Sequence, residues 1–189
     1  MIDDSMRLPI WDDTDWTYIK GLSRALESIS QKYIYDTDKK KYHIERIFSY
    51  ELYHKWSNFL RKKNANPEKL MLNAELSKHY DEVNDVKFPD LVLHGDFTNT
   101  KKQYIICEIK SSRNYVPDDA LEKDIESLLN GMNKLGYHCG IFVYLGGAKS
   151  VIVKRLREIV RDRKLDYNPS KQIIVAKVVN YRNIRYELL

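Results

Sequence analysis

The chain has 189 residues, of which 43% are hydrophobic and 31% charged, so it holds enough apolar material for one packed domain. No apolar run approaches the roughly eighteen residues needed to span a bilayer, and the acidic N-terminus lacks the apolar core of a signal peptide. We therefore expect no membrane partner. The net charge of +5 is compatible with a nucleic-acid partner and does not require one.

Two amphipathic helices are predicted in the first third of the chain. Apolar residues recur every three or four positions over Asp15–Tyr33. The polar stretch DTDKKKY ends this helix, and the second spans His43–Lys63. Strands follow near Leu70–Ser77, at Phe88–His94 and at Gln103–Lys110, and a segment of hairpin-turn composition joins the last two.

The second half of the chain alternates helices and strands. A helix is predicted over Pro117–Leu135, a buried strand over 137–146 and a basic amphipathic helix over 149–164. One or two strands complete the chain over 171–189. This order predicts an α/β fold with a mixed sheet and helices on its faces.

Both cysteines, Cys107 and Cys139, lie inside apolar strand-like runs. Buried thiols of this kind are typical of small core residues in a reducing compartment. We therefore expect a cytoplasmic protein. A structural zinc site is not expected, because the chain has no Cys-x-x-Cys pair and its histidines are scattered.

Charged residues stand at the ends of two predicted strands. Side chains alternate along a strand, so Tyr104, Ile106, Glu108 and Lys110 are expected on one face. If the hairpin pairs the two strands, Asp90 falls opposite Glu108 or within a residue or two of it. Two half-buried carboxylates require a proton, a cation or the neighbouring ammonium group. A strand-end salt bridge is the alternative interpretation.

Paired carboxylates suit magnesium, which polarises phosphoryl oxygens and activates water. Lys110 is then placed to orient that water or to stabilise charge on the phosphate. The pattern Pro-Asp followed by Glu-Ile-Lys resembles the PD-(D/E)-x-K signature of the restriction-endonuclease-like nuclease superfamily, and it indicates a bacterial member without specifying the family within the superfamily. The resemblance covers about 44–145. It implies an αβββαβ core, hence one nuclease-like domain over 1–189 with 1–40 as an N-terminal helical extension.

The resemblance also implies roles for individual residues. Asp90 and Glu108 would hold magnesium, or manganese, with the carbonyl oxygen of Ile109, and Lys110 would be catalytic. A glutamate on the preceding helix completes such sites. Glu45 is preferred because it lies close to the apolar stripe, where a charge needs a partner, and Glu51 is the alternative.

Further residues are candidates for supporting roles in metal binding or nucleic-acid binding. Glu75 on the first strand is either a further metal ligand or a surface residue. Arg113, Lys154 and Arg155 are candidates for binding nucleic acid, although acidic neighbours on the basic helix favour a solvated face. On the helix after the Glu-Ile-Lys strand, Lys123 and Asp124 either face the site or are solvated, and the solvated position is preferred.

The sequence thus predicts a magnesium-dependent nuclease that hydrolyses DNA in repair, restriction or defence. RNA is not excluded as the substrate, and a homodimer is possible by analogy with the superfamily. The alternative is a non-catalytic module that binds nucleic acid or protein on the same fold.

Overall fold

The architecture is taken from a computed structural model. The residues that it describes are 2–36, 41–42, 45–62, 64–74, 89–95, 102–112, 116–146, 151–168 and 173–189. None of the described helices is both long enough and apolar enough to cross a membrane.

The described part of the chain contains five α-helices. They are α1 Asp13–Glu27, α2 Gln31–Ile34, α3 Glu45–Leu60, α4 Asp118–Lys134 and α5 Ile152–Asp162. Helix α1 begins at a capping box, in which the side chains of Asp12 and Asp15 each accept from the other's backbone N–H. The single helix predicted over Asp15–Tyr33 is divided in two: α1 ends at Glu27, where the hydroxyl of the C-cap residue Ser28 donates to the carbonyl of Ala25.

Six strands form one mixed sheet in the order β3-β4-β5-β6-β7-β8. The strands are β1 Tyr35–Asp36, β2 Lys41–Tyr42, β3 Met71–Ala74, β4 Leu91–His94, β5 Gln103–Ser111, β6 Cys139–Leu145, β7 Ile173–Asn180 and β8 Asn183–Leu188. Strands β5, β6 and β7 run parallel, and the other neighbours pair antiparallel. Strands β1 and β2 form a separate pair where the sequence indicated only a polar turn. The predicted mixed α/β architecture is confirmed.

The helices cover both faces of the sheet. Helices α1, α2 and α3 pack on one face, and α4 and α5 pack on the other. The connections β5–α4–β6 and β6–α5–β7 join parallel strands and run in the same direction across the sheet. Because both crossovers have the same hand, α4 and α5 lie on the same face. Helix α1 contributes Trp16, Leu22 and Leu26 to the same core cluster as α3, so it is part of the main core.

One predicted orientation on β5 is wrong. The pairing of β4 with β5 skips a residue between Leu93↔Ile105 and His94↔Gln103, which leaves Tyr104 in a β-bulge. A bulge interrupts the alternation of side chains. Tyr104 therefore packs with Ile105 in the cluster under α1 and α3, instead of sharing the α4 face with Ile106.

Candidate functional site

The start of β4 and the end of β5 bring two carboxylates to neighbouring positions. Leu91 pairs with Cys107, and continuing this antiparallel register by one step places Asp90 opposite Glu108. The backbone N–H of Ile109 donates to Oδ2 of Asp90 at 2.6 Å. This bond fixes the Asp90 carboxylate at the point where the β4–β5 ladder ends.

The two carboxylates differ in burial. Glu108 is 2% exposed, whereas Asp90 is half-buried. Burial raises the pKa of the Cys107 thiol, and the negative charges of Asp90 and Glu108 raise this pKa further. Two acidic side chains therefore lie close enough to the buried Cys107 thiol to act on it.

Lys110 lies two residues beyond Glu108 on the same face of β5. Its Nζ is 2.8 Å from Oδ2 of Asp124 and 3.7 Å from Oε2 of Glu45. Its side chain is 15% exposed. The ammonium group is thus held between carboxylates from two helices, α4 on its own face of the sheet and α3 on the opposite face.

Glu45 is the helix carboxylate that reaches β5. It is the first residue of α3, and its Oε1 accepts from the backbone N–H of Ser111 at 3.1 Å. Glu51, one and a half turns further along, pairs with Lys55 at 3.3 Å on its own helix. The arrangement follows because α3 begins beside the end of β5.

Asp124 is the residue that sequence reasoning placed wrongly. It was expected in solvent, but it is 0% exposed and pairs with Lys110. A signal was present, because Asp124 lies three residues after Leu121 and four before Leu128, within the apolar stripe of α4. Its neighbour Lys123 is exposed, as expected.

The two cations predicted on α5 have other contacts. Arg155 pairs with Asp118 and donates to the carbonyl of Val116 at 2.8 Å, which ties α5 to the start of α4. Lys154 is 77% exposed and lies 3.8 Å from Glu158, one turn along the helix. Glu75 and Arg113, also predicted for the site, lie outside the described residues.

His94, at the other end of β4, is a structural residue. It is 1% exposed, and its Nε2 lies 2.7 Å from Nδ2 of Asn73 on β3. Burial lowers the pKa of the His94 imidazole, which favours the neutral ring. The imidazole therefore joins β3 to β4 at the end of β4 that lies away from Asp90.

The donor set at the strand ends fits a hard divalent cation. Magnesium is usually bound through one or two carboxylates and keeps several waters. Asp90, Glu108 and the carbonyl oxygen of Ile109 offer oxygen donors of this kind. No cluster of three or more His, Cys, Asp or Glu side chains suited to a metal occurs in the described ranges, so the described side chains alone would leave much of the coordination to water.

Comparison with known proteins yields no relative. No family model, no curated protein and no solved structure matches this chain. What the chain does is therefore inferred from its residues and their geometry.

Proposed function

We propose that this protein is a metal-dependent nuclease that hydrolyses DNA phosphodiester bonds on a restriction-endonuclease-like version of the mixed α/β fold. One observation carries the proposal. The β4–β5 register, continued by one residue beyond Leu91↔Cys107, places Asp90 opposite Glu108, and Lys110 follows Glu108 on the same face. This is the arrangement that the signature Pro-Asp and Glu-Ile-Lys predicts.

Magnesium, or manganese, would be held by Asp90, Glu108 and the Ile109 carbonyl oxygen. When bound, it would supply Lewis-acid polarisation of the phosphoryl group and a water of lowered pKa. The hydrogen bond from Ile109 N–H keeps the Asp90 carboxylate in one orientation before any substrate arrives.

Lys110 supplies the positive charge. Its ammonium group donates to a non-bridging oxygen of the phosphate or to the attacking water, and it thereby stabilises the charge that develops in the transition state. Asp124, which is inaccessible to solvent, pairs with this ammonium group at 2.8 Å and limits its positions. Glu45 approaches from the opposite face, with its Oε2 3.7 Å from the Lys110 Nζ.

The test is cleavage by site variants. Linear, nicked, supercoiled and single-stranded DNA, and RNA, are incubated with the protein and magnesium or manganese, with EDTA as the blank. Asp90→Asn, Glu108→Gln and Lys110→Met should each lower the rate at least about a hundredfold, the scale of losing one preorganised electrostatic group. Thermal unfolding of each variant separates loss of chemistry from loss of fold.

Matched controls lie close by. Glu187 on β8 is exposed and lies in register with Glu108 through Phe142 and Val175. Lys123 is an exposed lysine on α4. Glu187→Gln and Lys123→Met should leave the cleavage rate unchanged. If the wild-type protein binds nucleic acid but cuts none with either metal, the non-catalytic module is the better description.

A further inference from the structure

A row of cationic and aromatic side chains crosses the sheet beside the candidate site. Lys110 pairs in register with Tyr144, Tyr144 with Lys177, and Lys177 with Arg185. Their neighbours along each strand pack in the opposite core cluster, so all four point to the α4 and α5 face. Lys177 and Tyr144 are each 6% exposed, and Arg185 is exposed. The row therefore opens to solvent at the β8 edge of the sheet.

The tip of the β7–β8 hairpin lies at the same end of the sheet. Strands β5 and β7 are both parallel to β6, so the residues that follow them emerge at one edge. Tyr181 is 41% exposed, and the guanidinium of Arg182 lies over its ring, 4.8 Å from the centroid. The backbone N–H of Tyr181 donates to the side chain of Gln31 at 2.7 Å, which anchors the tip to α2.

Arg182 occupies a backbone conformation that suits few side chains. Its φ is 59°, in the left-handed region where glycine is least strained. Arg185 makes no ion pair with any described residue. The hairpin surface, defined as Tyr181, Arg182 and Arg185, thus presents an exposed ring and two guanidinium groups.

We propose that the hairpin surface binds a single-stranded segment of nucleic acid that extends from the candidate site. Unpaired bases stack on exposed aromatic rings, and guanidinium groups contact the backbone phosphates. Three strand spacings separate β5 from β8, about 14 Å, or about four nucleotides of a stacked strand. This inference rests on the proposed function for the position of the scissile phosphate, and it specifies a substrate with an unpaired segment.

Binding can be measured without cleavage. Fluorescence anisotropy in EDTA is recorded with labelled oligothymidylate, oligouridylate and a blunt DNA duplex of the same length. Tyr181→Ala should weaken single-strand binding at least about fivefold, the lower limit for one stacked base, and Tyr181→Phe should bind as the wild type does. Arg185→Met should weaken binding and lower the salt-dependence slope by about 0.7, as for one phosphate contact.

Two further variants sharpen the result. Arg182→Gly removes a guanidinium group and should therefore weaken binding. It should not lower the melting temperature, because glycine adopts the left-handed φ of this position without strain. Arg61, exposed at the far end of α3, lies about 24 Å along the helix axis from Glu45. Arg61→Met should leave affinity and slope unchanged. The two single strands show whether DNA or RNA is preferred.

The outcomes separate this inference from the proposed function. If Tyr181→Ala and Arg185→Met bind single strands as tightly as the wild type, or if only the blunt duplex binds, the hairpin surface is not the binding site, even where cleavage depends on Asp90. If these variants lose binding while the wild type cuts nothing with either metal, the hairpin surface is the binding site and the proposed hydrolysis is wrong.

Discussion

At the scale of single residues, the candidate site is defined by the contacts of its charged side chains. Lys110 and Glu108 are placed together by strand alternation, but their surroundings differ. The ammonium of Lys110 has carboxylates at 2.8 and 3.7 Å. Continuing the β4–β5 register by one residue places Glu108 opposite Asp90.

The pair of Lys110 and Asp124 gives a prediction about stability. Asp124→Asn removes the partner of a cation that is mostly buried, so we expect a loss of about 3 kcal/mol in the free energy of unfolding. Urea unfolding at neutral pH measures it.

The control is another aspartate of the same helix. Asp119 pairs with Arg163 at 3.1 Å, but its side chain is 80% exposed. Asp119→Asn changes the charge equally and should cost at most about 1 kcal/mol. Equal losses for the two variants would mean that the buried pair contributes nothing beyond a surface pair.

At the scale of elements, the packing of α4 on β5 carries Asp124 to Lys110. Gly131 allows this close approach, because a Cβ there would overlap Cδ1 of Ile106. Both residues belong to the tightly buried layer between helix and sheet. The position of α4, and with it the charge arrangement of the site, therefore depends on a residue without a side chain.

The prediction for this contact is a non-additive pair of variants. Gly131→Ala should destabilise the protein by about 1 kcal/mol, since overpacking outweighs the gain in helix propensity. Ile106→Val removes Cδ1, the atom that a Cβ at residue 131 would overlap, and alone it lowers the free energy of unfolding by about 1 kcal/mol. The double variant should be more stable than the sum predicts, which a double-mutant cycle in urea measures. Additive losses would show that α4 does not rest on this contact.

At the scale of the whole molecule, the N-terminal helix supplies much of one core. Trp16, Tyr18, Leu22, Leu26 and Ile29 are each at most 4% exposed and pack with α3 against the sheet. Burial of such side chains contributes about 1.5–3 kcal/mol each. Their sum is comparable with the whole stability of a domain, about 5–15 kcal/mol.

A chain that lacks residues 1–29 should therefore not fold. Circular dichroism in the near ultraviolet should show no fixed aromatic packing, and heating should give no cooperative transition. Ile10, which is 51% exposed, is the control, and Ile10→Ser should melt as the wild type does. A cooperative transition in the truncated chain would show that α1 is dispensable.

The sequence by itself determined the elements and part of the site. Period-two and period-3.6 patterns depend on neighbours along the chain, and they located the strands, the helices and the shared face of Glu108 and Lys110. Antiparallel pairing of the two predicted strands was enough to place Asp90 opposite Glu108. Local periodicity and this pairing therefore predicted the central group of Asp90, Glu108 and Lys110, whose role stays a prediction.

Only the tertiary structure decided what surrounds that centre. The choice of Glu45 over Glu51 depends on where α3 starts relative to β5, and the role of Asp124 depends on how α4 packs on the sheet. The bulge at Tyr104 depends on the pairing register. These features arise between segments distant in sequence, and a pattern along the chain carries no information on how such segments dock.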